Sequence, residues 1–239
     1  MKIQTKINNR SFLFLILFST SFISLATLKK VNIEDIRISG SQLFSQNDVA
    51  NISTLKFPIR LIFIETNLLE KELKQNLSLK NVSVSRQIFP FGLKVQVKTR
   101  TPIAYGERIL NGEKISGFID KDGIFINKQN VEEIDLSRLN IQIFGWKERF
   151  KTTLSEILIA KENYEFEIVK ITFSPNGFLT LEEKDLKKIF LGFNPHLIKY
   201  QLQIINNLKN QLKKNNFSEK IDSIDITDPN KPKIKVFKP

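Results

Sequence analysis

Residues 82–97 read VSVSRQIFPFGLKVQV, and this stretch decides the fold of the first half of the chain. Val82 and Val84 alternate with serine, whereas Leu93, Val95 and Val97 alternate with lysine and glutamine. Such alternation is typical of half-buried strands that have one apolar and one polar face. The FPFG sequence between the two runs predicts a turn. The stretch therefore predicts two neighbouring strands of one small sheet.

The residues before this stretch predict one further strand and two helices. The segment 33–39 places Ile36 and Ile38 at strand spacing, and Gly40 ends it. Ser45 is typical of a helix start, and a second helix is predicted from about Asn67. The second helix has a leucine stripe at Leu69, Leu73 and Leu77. The order β-α-α-β-β predicts a three-stranded sheet with two helices on one face.

The chain after Thr101 has the pattern of short strands, turns and two helices. Asn176-Gly177 is its strongest hairpin signal, and Asn194-Pro195 predicts the start of a helix with the stripe Ile198, Leu202, Ile205 and Leu212. Another helix is predicted over 152–159, and strands are predicted over 103–107, 116–119, 124–126, 141–144, 166–174, 178–182, 221–228 and 234–237. The predicted fold class is therefore mixed α+β, with a β-rich second domain that has a C-terminal helix and a last strand.

Composition excludes most catalytic chemistry. The 239 residues include no cysteine, which removes thiolate metal sites and thiol catalysis. His196 is the only histidine, so neither a two-histidine metal site nor a nucleophilic triad is available. Asp120 and Asp122 resemble half of a calcium loop, but a hairpin turn explains them better. We read the acidic pairs 132–133 and 182–183 as parts of a solvated face. We predict no enzyme activity, catalytic residue, cofactor, metal or small-molecule substrate.

The net charge of +12 is unevenly distributed. The first 30 residues contain five basic residues and no acidic one, and 32 basic and 25 acidic residues remain, a net charge of +7. A nucleic-acid binder usually concentrates its basic residues on one face. Here lysines are scattered through ordinary amphipathic segments. We therefore predict no nucleic-acid binding and a basic surface beside anionic lipid.

Residues 11–28 read SFLFLILFSTSFISLATL and carry no charge. Eighteen helical residues would span roughly 27 Å, enough for the hydrocarbon core of a bilayer. The segment therefore predicts a transmembrane helix; a cleaved signal peptide with Ser24 and Ala26 at its cleavage site is the alternative. Basic residues before the segment favour a short cytoplasmic tail at 1–10 and an extracytoplasmic soluble portion.

The segment 36–105 resembles a POTRA domain, the fold associated with polypeptide transport. The resemblance rests on IRISG at 36–40, FS at 44–45, VSVSR at 82–86, FP at 89–90, LKVQV at 93–97 and RTPIA at 100–104. The motif residues are Gly40, Arg86, Pro90, Arg100 and Pro102. The RTPIA run resembles the cell-division family FtsQ/DivIB more than the repeats of outer-membrane assembly factors. GFIDKDG at 117–123 and the region 222–236 resemble further segments of that family.

The resemblance implies an ordered domain layout. A tail at 1–10 and a transmembrane helix at 11–28 precede a POTRA-like domain at 31–102 and a β-rich domain at 103–239. It implies a bitopic divisome scaffold at the inner membrane and division septum. Such a scaffold links early and late division proteins and helps control septal peptidoglycan synthesis. The implied partners are small bitopic division proteins like FtsB and FtsL. The alternative is a component of polypeptide transport or outer-membrane assembly, which predicts repeated POTRA units.

The last predicted strand is the candidate partner-binding site. An exposed edge strand offers unpaired N–H and C=O groups to an extended partner segment. The nearby lysines would attract an acidic partner and increase its association rate. The alternative is that the strand is merely internal and that its lysines protect an edge against aggregation. The candidate residues are Lys231, Lys233, Ile234, Lys235, Val236 and Phe237.

Overall fold

The computed structural model describes residues 29–132, 139–164, 166–214 and 221–237. The chain divides into two compact units, one ending at Thr99 and one beginning at Arg100, here called the N-terminal and C-terminal units. The fold class is mixed α+β, as the sequence predicts. The proposed anchor at 11–28 lies outside the described residues. Within those residues, no helix is long and apolar enough to cross a bilayer.

The N-terminal unit contains the predicted β-α-α-β-β order. Its elements are β1 (Lys30–Val31), β2 (Ile36–Ser39), α1 (Gln46–Ile52), β3 (Ile59–Arg60), α2 (Thr66–Asn76), β4 (Asn81–Gln87) and β5 (Gly92–Lys98). The main sheet has the order β2-β5-β4, in which β5 is parallel to β2 and antiparallel to β4. The two-residue strands β1 and β3 form a separate pair. They are too short to produce a periodic pattern, so they cannot be predicted from the sequence.

The hydrophobic pattern accounts for how the N-terminal unit packs. Val82 and Val84 are buried, and Ser83 and Ser85, which alternate with them, are exposed, as expected for a strand with one apolar face. Leu69 and Leu73 of α2 are fully buried in the same core. Helix α1 begins at Gln46 because the Ser45 hydroxyl accepts a hydrogen bond from the Asp48 amide, a capping box completed by the Asp48 carboxylate.

The C-terminal unit is built on one nine-stranded sheet. Its elements are β6 (Pro102–Leu110), β7 (Glu113–Asp120), β8 (Phe125–Asn127), β9 (Gln142–Trp146), α3 (Lys151–Asn163), β10 (Ile168–Phe173), β11 (Leu179–Glu183), β12 (Lys187–Gly192), α4 (Ile198–Lys214), β13 (Ile221–Asp225) and β14 (Lys233–Val236). The strand order is β14-β13-β12-β11-β10-β9-β6-β7-β8. Strands β6 and β9, β9 and β10, and β12 and β13 pair in parallel.

Helices α3 and α4 supply much of the core of this unit. Leu154 and Ile157 of α3 and Leu202 and Ile205 of α4 are buried with the apolar residues of the sheet. Trp146 is only 6% exposed, and its indole N–H donates to the Gly123 carbonyl at 2.9 Å. Trp146 is therefore a core residue of this unit.

Strand β12 and the burial of Glu183 differ from what the sequence predicts. Strand β12 was not predicted; it follows a polar turn and begins with two lysines, so only its last four residues carry an apolar signal. The interpretation of 182–183 as a solvated pair was wrong for Glu183. That carboxylate is 3% exposed and lies 2.5 Å from the Lys209 ammonium.

Candidate functional site

The last strand, β14, lies at one end of the nine-stranded sheet. Of the described strands it pairs only with β13, in antiparallel orientation, with Ile224 opposite Ile234 and Asp225 opposite Lys233. All four residues of β14 are exposed. Among the described strands, β14 is therefore an edge strand of the sheet.

The register shows which backbone groups of β14 face away from the sheet. The Ile226 amide donates to Phe190 of β12, so Ile224 and Ile226 direct their backbone groups toward β12. Asp225 then faces β14 and forms a hydrogen-bonded pair with Lys233. Because facing alternates along a strand, Ile234 directs its N–H and C=O outward. An extended segment of a partner protein can form hydrogen bonds with these two outward groups of Ile234.

The side chains of β14 divide into an apolar set and a basic set. Ile234 and Val236 are 39% and 42% exposed, and Phe237, just beyond the strand, is 57% exposed. Lys233 and Lys235 alternate with them and are exposed. The Lys235 ammonium lies 3.0 Å from the Asp222 carboxylate. Asp222 was not among the predicted site residues, because it adjoins Lys235 only through the β13–β14 pairing.

The connection before β14 is shaped by aspartates. Asp225 accepts hydrogen bonds from the Thr227 hydroxyl at 2.7 Å and from the Thr227 amide at 2.9 Å. Asp228 accepts from the amide of Asn230 through its carboxylate, and from the amide of Lys231 through its carbonyl. Such turns are typical of aspartate in loops. They end β13 at Asp225, whereas the sequence predicted a strand as far as residue 228.

Two hydrogen bonds from Thr227 hold the pKa of Asp225 below its ordinary value, and the bond from the hydroxyl contributes more than the bond from the amide. The charge of Lys233 lowers this pKa by a smaller amount. A carboxylate whose pKa is lowered by folding stabilises the fold fully above its ordinary pKa of about 3.9. That contribution is lost as the pH falls through the lower, folded-state value. At neutral pH the Asp225 carboxylate therefore contributes its full stabilisation to the connection before β14.

The edges of the N-terminal sheet are capped by helix side chains. Gln46 of α1 donates to the Ile36 carbonyl of β2 at 2.7 Å. The Glu70 carboxylate of α2 accepts from the Val84 amide of β4 at 2.6 Å. Within the described residues, no side chain forms an equivalent bond with the backbone of β14. Proteins usually cap or cover exposed sheet edges, so an edge without such a cap is a candidate for pairing with a partner strand.

The motif residues Gly40, Arg86 and Pro90 organise the N-terminal unit. Gly40 has φ +98°, and a Cβ there would lie 2.1 Å from the Val97 carbonyl oxygen, so only glycine fits. Arg86 donates to the Ile64 carbonyl. The Pro90 carbonyl, in the β4–β5 turn, accepts from the Arg37 guanidinium. These are structural contacts within one unit.

Arg100 and Pro102 lie at the start of the C-terminal unit. The Arg100 guanidinium pairs with the carboxylates of Asp120 and Asp122, the second at 3.0 Å. Pro102 is buried and begins β6. In the sheet order, β6 and β14 are the first and the last of seven consecutive strands. Arg100 and Pro102 are therefore separate from the candidate edge. No group of residues with the composition of a metal site occurs in the described chain.

Residues 31–100 match the family model described as POTRA domain, FtsQ-type. The search of curated proteins found no match to this chain. The matched range corresponds closely to the N-terminal unit, and Gly40, Arg86, Pro90 and Arg100 fall within it.

Proposed function

We propose, from the FtsQ-type POTRA domain that residues 31–100 form, that this chain is a cell-division protein that acts by binding other proteins. The match supports membership of an FtsQ/DivIB-like family, a non-enzymatic scaffold family of the membrane and septum. We further propose a single anchor at 11–28 with a cytoplasmic tail at 1–10. The POTRA-like domain at 31–102 and the β-rich domain at 103–239 then lie outside the cytoplasm.

In this proposal the C-terminal unit holds small bitopic division proteins like FtsB and FtsL. The chain thereby connects early and late division proteins and helps control septal peptidoglycan synthesis. The partner contacts Lys231, Lys233, Ile234, Lys235, Val236 and Phe237.

The observation that carries the proposal is the open edge at β14. Ile234 directs its backbone donor and acceptor away from β13, and its side chain is 39% exposed. A partner strand would pair with those backbone groups and cover Ile234, Val236 and Phe237. Backbone pairing gives affinity, and the alternating side chains give specificity.

Charge favours an acidic partner segment. Lys231, Lys233 and Lys235 are exposed along the edge and the turn before it. Among the described residues, the ion pair at this edge joins the exposed Lys235 to the half-buried Asp222, and a pair so open to solvent is weakly stabilising. An incoming carboxylate can therefore replace Asp222 at little cost. The lysines would increase the association rate more than the affinity.

Strand addition is tested with the full-length chain in membranes, in a pull-down with the FtsB-like and FtsL-like proteins of the same cell. Ile234→Pro removes the outward N–H, and edge strands tolerate proline. A lost hydrogen bond of about 1.4 kcal/mol weakens binding roughly tenfold. Ile234→Ala is the matched control, because it shortens the side chain and keeps the N–H. We expect it to weaken binding less than proline does.

Equal binding by wild type and Ile234→Pro, with unchanged circular dichroism, would exclude strand addition at this edge. Binding weakened equally by proline and alanine would assign the contact to the side chain. The division role has a separate readout. A fluorescent fusion of the wild-type chain that fails to concentrate at mid-cell would contradict it.

A further inference from the structure

The N-terminal unit exposes a cluster of large apolar side chains, here called the apolar rim. Its members are Ile62, Phe63, Ile88 and Phe89, which are 49%, 62%, 37% and 93% exposed. Between residues 29 and 99, only one other large apolar side chain is comparably exposed, Leu68 at 40%. Exposed apolar surface is thus concentrated in two short segments, 62–63 and 88–89, and concentrated patches mark interaction sites.

Hydrogen bonds hold these two segments at the same end of the unit. Ile62 and Phe63 belong to a short 3₁₀ turn that follows β3, and Ile64 comes directly after it. The Arg86 guanidinium, near the end of β4, donates to the Ile64 carbonyl at 2.6 Å. Two residues beyond Arg86, the β4–β5 turn carries Ile88 and Phe89.

The chain joins the unit at this same end. The Lys29 carbonyl accepts a hydrogen bond at 3.2 Å from the Leu61 amide, immediately before Ile62. The Lys29 ammonium lies 4.6 Å from the ring centroid of Phe91, in the turn that carries Phe89. The uncharged segment 11–28 ends one residue before Lys29. Both halves of the apolar rim therefore lie next to the point where that segment ends.

Cations surround the rim. Lys30 pairs with Arg60 across β1 and β3, and both are exposed, as is Lys29. Acidic residues in the neighbouring segments are Glu34, Asp35 and the exposed Glu65, and Asp35 accepts a hydrogen bond from the Asn32 amide at 2.8 Å. Apolar side chains flanked by lysine and arginine are typical of surfaces that lie in the headgroup region of a bilayer. Cations near an anionic lipid surface strengthen the attraction to the membrane.

We propose that the apolar rim inserts into the surface of the bilayer in which residues 11–28 are anchored. Phe89 and Phe63 would enter the boundary between headgroups and acyl chains, and Lys29, Lys30 and Arg60 would contact lipid phosphates. The POTRA-like domain is then held against the membrane by two attachments, the anchor and the rim. This inference rests on the anchor of the proposed function.

The chain offers a clean labelling experiment because it contains no cysteine. Phe89→Cys and Phe63→Cys each introduce one site for an environment-sensitive fluorophore within the rim. Asn81→Cys is the matched control, because Asn81 is exposed at the opposite end of β4. Strand geometry places residue 81 roughly 23 Å from residue 88. The full-length chain is reconstituted into vesicles of phosphatidylethanolamine and phosphatidylglycerol, some with brominated acyl chains.

We expect the labels at 89 and 63 to shift to the blue and to be quenched by the brominated lipid. The label at 81 should keep aqueous emission. A larger shift with more phosphatidylglycerol is expected from the three cations. Aqueous emission at 89 in a chain that floats with the vesicles would overturn the rim proposal. A shift at 89 that requires a second protein would also overturn it and assign the rim to that protein.

The other outcomes separate this inference from the proposed function. A chain that does not float with the vesicles would overturn the anchor and the rim together. Equal quenching at 81 and 89 would overturn specific insertion of the rim. Loss of partner binding in Ile234→Pro with an unchanged label signal at 89 would support strand addition and leave the rim proposal standing.

Discussion

At the scale of single residues, the ion pair between Glu183 and Lys209 is the least expected contact of the C-terminal unit. The Glu183 carboxylate accepts from the Lys209 ammonium and from the amides of Glu167, Asp185 and Leu186. Both charges are almost completely buried. The pair connects α4 to the end of β11. Its neighbour Glu182 faces the opposite side of the strand and pairs with Lys170.

Lys209→Met should strongly destabilise the C-terminal unit. It would leave the Glu183 carboxylate buried without its cation, and breaking a buried pair costs about 3–5 kcal/mol. The free energy of unfolding from urea denaturation measures the effect. Lys184→Met is the control, because the pair of Lys184 with Glu167 is exposed to solvent and should contribute little to stability. Similar losses in both variants would contradict a special role for the buried pair.

At the scale of single elements, the two sheets treat their edges differently. Helices α1 and α2 lie beside the edges of the N-terminal sheet and place Gln46 and Glu70 on edge backbone groups. Strand β14 follows an aspartate-rich turn and has its outward face open. Capping of this kind prevents wrong pairing, and an uncapped edge is available for a partner. The difference supports β14 as the binding edge.

Glu70→Ala should uncap β4. A hydrogen bond from the Val84 amide to a charged carboxylate contributes about 1.5–3 kcal/mol, so the variant should lose stability of that size. Hydrogen exchange at the Val84 amide should also become faster. Lys71→Ala, at the next, exposed position of α2, should change stability by less than about 0.5 kcal/mol. Unchanged exchange at Val84 would show that the carboxylate does not protect this edge in solution.

At the scale of the whole molecule, the chain has two hydrophobic cores. Leu73 lies in the core of the N-terminal unit, and Ile157 lies in that of the C-terminal unit. The division after Thr99 places the sheet of the POTRA-type domain in one unit and the candidate edge in the other. In the proposed arrangement, membrane attachment belongs to the anchor and the apolar rim, and partner binding belongs to β14. The two tasks would thus lie in separate parts of the chain.

Leu73→Ala and Ile157→Ala should each weaken one unit selectively. Removing a fully buried leucine or isoleucine side chain costs about 2–5 kcal/mol. Hydrogen exchange by mass spectrometry should show faster exchange before residue 99 in Leu73→Ala and after residue 100 in Ile157→Ala. Each variant serves as the control for the other. Faster exchange throughout the chain in both variants would mean that the two cores unfold together.

Much of this fold follows from local patterns of the sequence. Alternation at Val82 and Val84, the Ser45 cap and the Asn176-Gly177 turn each specify a local structure through neighbouring residues alone. The POTRA-type order of elements was therefore predictable. Strand β12 and the β1–β3 pair were not, because short or partly polar strands carry too weak a period. The burial of Glu183 was also missed, since its partner is 26 residues away in the chain.

For the candidate sites, the sequence alone determined the residue types: an uncharged segment at 11–28, lysines alternating with apolar residues near the C-terminus, and no cysteine. Only the tertiary structure decided that β14 lies at a sheet edge with Ile234 facing outward. It also brought Ile62, Phe63, Ile88 and Phe89 together beside Lys29. The physical reason is that strand order and surface patches depend on pairings between distant residues. Local propensity does not encode those pairings.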